Sequence, residues 1–389
     1  MRGASQTAAT PAVVTRAESL QEIEEKLARI QKFLAAENLG GVLLTRVSNF
    51  SWITAGLADN HIVLTSELGA ASLLIMRDGR KCLIASNSEV PRLMAEDLKD
   101  LGYEAKMYLW YEDKVTRDRK LQIIREIAGG QEIGSDAPYA DLRVVAAPLA
   151  RLRYQLTAAE IKKYRWLGRE TTEAVVAICR RLRPGLSERE IEAWASDELM
   201  RRGLRPTVLL MGVDERVFNY YHHTPSDARL RKYAIVNVCA RKWGLVISVA
   251  RFVHFGPLPA ELERRLRAAA EISARFQASS RPGTRAVELL EMAKQWYAEQ
   301  GFEGDWTRHH QGGAIGYAER EWVAHPGSTE IVQARQAFAW NPIVRGALSF
   351  DTIIVYDDHI ENLTATPGWP TIPVTVQGKT YAMPDILVR

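Results

Sequence analysis

Residues 183–203 read RPGLSEREIEAWASDELMRRG, and residues 281–301 read RPGTRAVELLEMAKQWYAEQG. Both segments open on Arg-Pro-Gly and close on glycine. One offset of 98 residues relates them throughout, so that Glu190 falls on Glu288. A long helical pattern precedes each: AEIKKYRWLGRETTEAVVAICRRL at 159–182 and PAELERRLRAAAEISARFQASS at 259–280. A strand-rich stretch follows each. Self-similarity at a constant offset is the mark of repeated architecture, so two helix-helix-strand units imply a duplicated domain with pseudo-twofold symmetry. Coincidental loop chemistry at two Arg-Pro-Gly turns is the plainer alternative. The shared terminal glycine and the matching helices weigh against it.

Upstream of the repeat, residues 18–37 place Leu20, Ile23, Leu27, Ile30, Phe33 and Leu34 at helical spacing. Gly40-Gly41 stops that helix, and GVLLT reads as a buried strand. SLLIM and KCLIA flank Arg77-Asp78-Gly79-Arg80, a hairpin signal. Residues 88–104 and 120–129 read as helices. Residues 151–157 are the expected joint, and Thr157-x-x-Glu160 is a capping box that opens the next helix. The expected division is a disordered tail over 1–17, an α/β domain over 18–150 and the duplicated domain over 151–389. The fold class is therefore α/β (α+β).

Composition bounds the function. The chain has 389 residues, 47% apolar and 25% charged, which is ordinary for a globular protein. Its 51 Lys and Arg against 47 Asp and Glu leave +4, a mixed surface with no run of five like charges. No nucleic-acid or membrane partner is expected. Cys82, Cys179 and Cys239 lie far apart, which excludes a CxxC zinc site and a disulfide framework and suits a reducing compartment. No stretch of 18 apolar residues is present. The first 17 residues lack the apolar core of a signal peptide, so a cytoplasmic location is the expectation.

Several short motifs then occur in a fixed order: NFSWITAG (49–56), HHTPSD (222–227), VNVCAR (236–241) with Gly244, Arg251 and Phe255-Gly256, QGGAIG (311–316), NP (341–342) and FDT (350–352). Together with the duplication they resemble the creatinase, prolidase and aminopeptidase P family. The resemblance implies a creatinase-type N-terminal α/β domain followed by a pita-bread α/β domain, and it covers residues 18–389. In members that bind two metal ions, two Asp, one His and two Glu are the ligands. The matching positions here are Asn237, Ser248, Gly313, Asn341 and Phe350. Amide and hydroxyl oxygens are weak neutral donors for hard divalent ions, and glycine and phenylalanine offer none. The chain therefore reads as a divergent member with no metal ligands and no cofactor. Loss of all five together is electrostatically consistent, since stray buried carboxylates would be costly.

His222 matches the family's substrate histidine. Its repeat mate, at the same offset of 98, is Arg320, where the family has a second histidine followed by Glu321. The expected catalytic set is His222, Arg320 and Glu321. The expected substrate contacts are His223, His310, Gln311, Gly313, Asn237, Ser248, Asn341 and Phe350. Three bland readings stand beside these. His223 and His254 read as structural histidines, Gly312-Gly313 as a turn, and Glu321 as a partner of Arg320. His309 and His310 are expected to face opposite ways if they lie on a strand. The expected function is a metal-independent, creatinase-like hydrolase of a C–N bond in a small polar or carboxylate-bearing compound. The alternative is a catalytically inactive peptidase-like binding protein, and a conventional Xaa-Pro metallopeptidase ranks behind both. The partner is a small-molecule or peptide-like substrate. A homodimer is also expected, with Trp52 and Trp110-Tyr111 as candidate interface or pocket-edge aromatics.

Overall fold

The computed structural model describes residues 13–115 and 119–389. Helix α1 (Arg16–Ala36) opens with a capping box: Thr15 Oγ1 accepts from Glu18 N at 3.1 Å, and Glu18 accepts from Thr15 N at 2.7 Å. The helix thus starts inside the tail expected over 1–17, whose residues 1–12 lie outside the described ones. Six strands follow: β1 (Gly41–Arg46), β2 (Leu68–Met76), β3 (Lys81–Ser86), β4 (Glu104–Tyr108), β5 (Ile133–Ser135) and β6 (Arg143–Val144). They form one mixed sheet in the order β4-β3-β2-β1-β5-β6. The β2–β3 hairpin turns at the expected Asp78-Gly79, where Gly79 has φ +94°. Helix α2 (Val47–Ile53) leaves β1 directly, and α3 (Arg119–Ala128) packs on β3 and β4.

The expected helix over 88–104 is cut short. Helical turns run only from Val90 to Asp97, and Glu104 already belongs to β4. Asp100 and Gly102 adopt φ of +62° and +72°, a left-handed turn that no helix continues through.

The second half contains α4 (Ala158–Arg181), α5 (Glu188–Arg201), β7 (Arg205–Val213), β8 (Tyr233–Lys242) and β9 (Leu245–His254). After these come α6 (Ala260–Ser279), α7 (Ala286–Glu299), β10 (Gly312–Ile315), β11 (Trp322–Val323) and β12 (Gln336–Trp340). A small hairpin, β13 (Ile343–Val344) and β14 (Ala347–Leu348), leads to β15 (Asp351–Val355) and β16 (Ile360–Asn362). The chain ends in β17 (Thr371–Val376), β18 (Lys379–Pro384) and β19 (Ile386–Val388). One sheet has the order β19-β9-β8-β7 and the other β11-β10-β12-β15-β16.

The duplication is explicit in the elements: α5 and α7 are displaced by the same 98 residues at both ends. Each opens on the same device. Glu190 accepts from Ser187 N at 2.8 Å, and Glu288 accepts from Arg285 N at 3.2 Å. The two sheets meet where β9 faces β15: Ala250 N donates to Phe350 O, and Ser248 N to Thr352 Oγ1. β8 and β9 are buried almost throughout, as expected for strands covered on both faces. No described helix is long and apolar enough to cross a membrane. All three cysteines are free and buried.

Candidate active-site cavity

A cavity of about 190 Å³ opens at the end of β8, between the 217–223 segment, the 309–310 loop and the β13–β14 hairpin. Most of its wall is apolar, from Leu210, Ile235, Phe252, Leu348 and Phe350. The polar groups on that wall are few: His222, His223, His309, His310, Asn237, Asn341, Glu319, Arg320 and Arg345, with the hydroxyls of Tyr220 and Tyr221. A few polar groups converging in an apolar concavity is the usual character of a small-molecule site.

His222 and His309 face each other, Nε2 to Nε2, at 3.3 Å. His309 Nδ1 lies 2.7 Å from the carbonyl of His310. A carbonyl only accepts, so His309 carries its proton on Nδ1, and its Nε2 is the acceptor. His222 must then donate from Nε2, which leaves His222 Nδ1 as the free base of the pair. Burial, then the neighbouring charges, pushes His309 down to about 4, so it stays neutral at physiological pH. Tyr221 stacks on its ring at 5.9 Å between centroids. His310 is also pushed down, by burial and by His309, and its Nδ1 accepts from Gly312 N at 3.1 Å. His222 itself is exposed at the cavity mouth.

Both members of the His309-His310 pair therefore border the cavity. Strand alternation does not govern them, because a 3₁₀ turn (Asp305–Thr307) and a loop, not a strand, carry the chain into β10. His309 is the functional candidate that pattern reading missed.

Arg320 projects into the same cavity with no carboxylate at ion-pair distance among the described residues. Its Nη1 donates to its own neighbour's carbonyl, Glu319 O, and its Nε has no partner among the described residues. Burial lowers its pKa from the ordinary value. Its guanidinium sits 5.8 Å from the centre of the Phe350 ring. His223 is buried, and burial pushes it below its ordinary pKa. Its ring lies against β7 at Gly212, where a Cβ would come within 2.7 Å of His223 Cγ. His254 is structural: its Nδ1 bonds Gly256 O at 3.0 Å.

Four of the expected residues do not reach the cavity. Glu321 is buried in an ion pair with Arg153, at 2.7 Å from Nη2, and accepts from Tyr317 N at 3.0 Å. It pairs neither with substrate space nor with Arg320. Gln311 is buried, accepts from Tyr297 OH at 2.7 Å and donates to His309 O at 2.7 Å. Gly313 lies within β10, where a Cβ would meet Trp322 O at 2.1 Å. Ser248 Oγ is 3.1 Å from Cys239 Sγ, behind the wall. Cys239 does line the cavity, and burial raises its thiol pKa, which disfavours the thiolate. Trp52, expected at an edge or interface, is buried at 1% exposure, whereas Trp110 and Tyr111 are exposed.

The five positions matched to metal ligands thus present two amides, a phenyl ring, a hydroxyl bonded elsewhere and a glycine. Asn237 and Asn341 are buried and their Oδ1 atoms have no partner among the described residues. No group of three or more His, Cys, Asp and Glu among the described residues is placed to hold a metal ion. The donor set does not fit a pair of hard divalent ions.

Two buried networks hold the loops that carry these groups. Glu188, in the first turn of α5, accepts from Ser226 Oγ at 2.6 Å, Val213 N at 3.0 Å and Arg216 Nε at 2.8 Å. Arg216 in turn donates to Thr224 O at 2.9 Å, which fixes the turn after His222. On the other side, Arg153 joins Glu321 to Asn49, and Asn49 Nδ2 donates to Asp136 at 2.9 Å. Tyr317 OH, from the same 316–321 loop, accepts from Lys26 at 3.0 Å and donates to Glu160 at 2.7 Å.

The model for metallopeptidase family M24 matches residues 162–368, more than half of the chain. No curated protein sequence matches. Among solved structures, a dipeptidase PepE from Mycobacterium ulcerans superposes with a TM-score of 0.74 at 18% identity, covering 90% of this chain and 97% of its own. A prolidase from Pyrococcus horikoshii gives 0.73 at 18%, covering 88% and 98%. The N-terminal domain of the FACT complex subunit SPT16 from chickpea (Cicer arietinum) gives 0.67 at 12%, covering 90% and 96%. At such identities the likeness speaks for the fold, which is the expected pita-bread architecture. With the family model matched over both repeats and the cavity, the chain belongs to metallopeptidase family M24.

Proposed function

We propose that this M24 member is a metal-independent hydrolase of a C–N bond in a small carboxylate-bearing compound. The observation that carries the reading is the His222–His309 pair at 3.3 Å, on the wall of a cavity that also holds Arg320, which has no carboxylate at ion-pair distance among the described residues. His222 Nδ1 takes a proton from the attacking water and returns it to the leaving nitrogen. His309 orients the ring and accepts from its Nε2–H. Arg320 holds the carboxylate, and Asn237 and Asn341 contribute amide hydrogen bonds. In this reading residues 18–150 form a covering domain for the duplicated domain at 151–389. A homodimer belongs to the same reading, supported by the exposed apolar side chains Met107, Leu109, Trp110, Tyr111 and Val115. Light scattering that gives a single-chain mass at micromolar concentration would remove the dimer.

The test is a thermal-shift screen of small amido and guanidino carboxylic acids, followed by hydrolysis assays of the hits with and without chelator. A ligand at a hundred times its Kd stabilises by about 2.7 kcal/mol. Turnover should persist in chelator, and His222→Ala should lower it by roughly 10²–10⁴-fold with melting unchanged. Turnover that needs an added divalent ion, or that survives in His222→Ala, defeats the reading. Hits that bind without turnover favour a binding protein instead. One feature favours that second reading: Glu319 is the sole carboxylate bordering the cavity among the described residues.

A further inference from the structure

A second, larger cleft of about 600 Å³ shares Glu319 and Arg320 with the cavity. Its walls come from both halves of the chain: the start of α2 and the 61–67 loop on one side, the first residues of β7 and the 317–320 loop on the other. Five arginines line it. Three are neutralised: Arg46 by Glu67, Arg153 by Glu321 and Arg241 by Asp59 at 2.9 Å. Arg205 and Arg320 have no carboxylate at ion-pair distance among the described residues. Glu319, the remaining acid on the wall, is exposed and forms no ion pair with its neighbour.

The contact of Arg205 is unusual. Its Nη1 lies 3.5 Å from His61 Nδ1. A guanidinium only donates, so Nδ1 accepts and a neutral His61 carries its proton on Nε2. That Nε2 is buried without a partner among the described residues. A cation against a ring, beside a buried donor that has no acceptor among the described residues, is a costly arrangement. An anion at the exposed Arg205 supplies the missing countercharge, while His61 Nδ1 holds the guanidinium in place. No glycine borders the cleft among the described residues, so they offer no glycine-built nest of backbone N–H groups to cradle phosphate. The fork of an arginine matches a carboxylate in two parallel hydrogen bonds.

We propose that this cleft is a second subsite, in which Arg205, positioned by His61, binds the distal carboxylate of an elongated acidic ligand whose near carboxylate reaches Arg320. The cavity alone admits only a short molecule. In this proposal cavity and cleft form one binding region that meets at Arg320, which borders both. The inference rests on the preceding reading only through Arg320, and it requires no turnover.

The experiment is calorimetric titration of the full chain with the linear dicarboxylates from succinate to sebacate, with matched monocarboxylates and pyrophosphate as controls. Dicarboxylates within one range of lengths should bind at least tenfold tighter than their monocarboxylate counterparts. Arg205→Ala, at an exposed position, should lower dicarboxylate affinity by roughly tenfold, the worth of one charged hydrogen bond. It should change monocarboxylate affinity less than twofold. His61→Gln should give a smaller loss. Failure of every dicarboxylate to bind, equal losses for both ligand series, or pyrophosphate binding tighter than any dicarboxylate would each overturn the subsite. His222→Ala that abolishes turnover while length-dependent binding persists would leave the subsite standing. Intact turnover in that variant would sink the catalytic reading alone.

Discussion

His309 is a base that the fold keeps from being one. Its pKa falls to about 4 against 6.5 for a free histidine, chiefly because burial penalises the charged ring. Between those values the unfolded chain binds the proton and the folded chain does not. Stability from this residue is therefore complete above pH 6.5 and declines as pH falls towards 4. We expect chemical-denaturation midpoints to drop over that window, and His309→Asn to flatten the drop. A variant that keeps the full slope would show that other groups cause it. Symmetry and motif order pointed to His222 and Arg320, and both line the cavity. The sequence hid the roles of Gln311 and Glu321, whose polar side chains look like site residues but brace loops from behind. Nothing in a one-dimensional pattern tells an amide facing a cavity from one facing Tyr297.

Among the elements, the 316–321 loop decides where Arg320 points. It is held by Tyr164 OH, which donates to Gly316 O at 3.1 Å, by Tyr317 and by the Glu321–Arg153 pair. Arg153 comes from the joint that the sequence marked at 151–157, so this joint is also part of the brace. Arg153→Ala leaves the carboxylate of Glu321 buried and uncompensated, which costs about 3–5 kcal/mol. The expected outcome is a clear fall in melting temperature, together with weakened carboxylate binding at Arg320. An unchanged melting curve would mean that water replaces the guanidinium. The helix start at Thr157 was legible because a capping box is local, and the structure shows the same device at Ser187. The stop of the 88–104 helix was not, because the left-handed residue Asp100 carries no signal stronger than that of any aspartate.

For the whole molecule, the repeat foretold the duplicated architecture, since an offset of 98 residues survives in the bounds of two helices. What it could not foretell is how the first sheet docks. The docking surface holds four charges with essentially no exposure. Lys26 lies 2.6 Å from Glu22 and 2.7 Å from Glu160, and Lys163 lies 2.7 Å from Glu22. Burial lowers the pKa of Lys163. Burial also opposes ionisation of Glu160, but Lys26 and the hydrogen bonds around it hold its carboxyl below the usual value. Lys163→Met should remove one cation from this set and leave Glu22 undercompensated. Calorimetry should then separate one unfolding transition into two, as the halves lose their coupling. A single transition at lower temperature would instead place the coupling in the apolar contacts.

That quartet also bears on heat. The penalty for stripping water from ions shrinks as temperature rises, because ordered hydration becomes less favourable, whereas apolar burial gains little more. A seam built from charges therefore strengthens relative to the oily interior on either side of it. On slow warming, amides along α1 and α4 near the seam should exchange with deuterium later than those of the exposed edge strand β4, so the molecule frays from its rim while its two halves stay clasped.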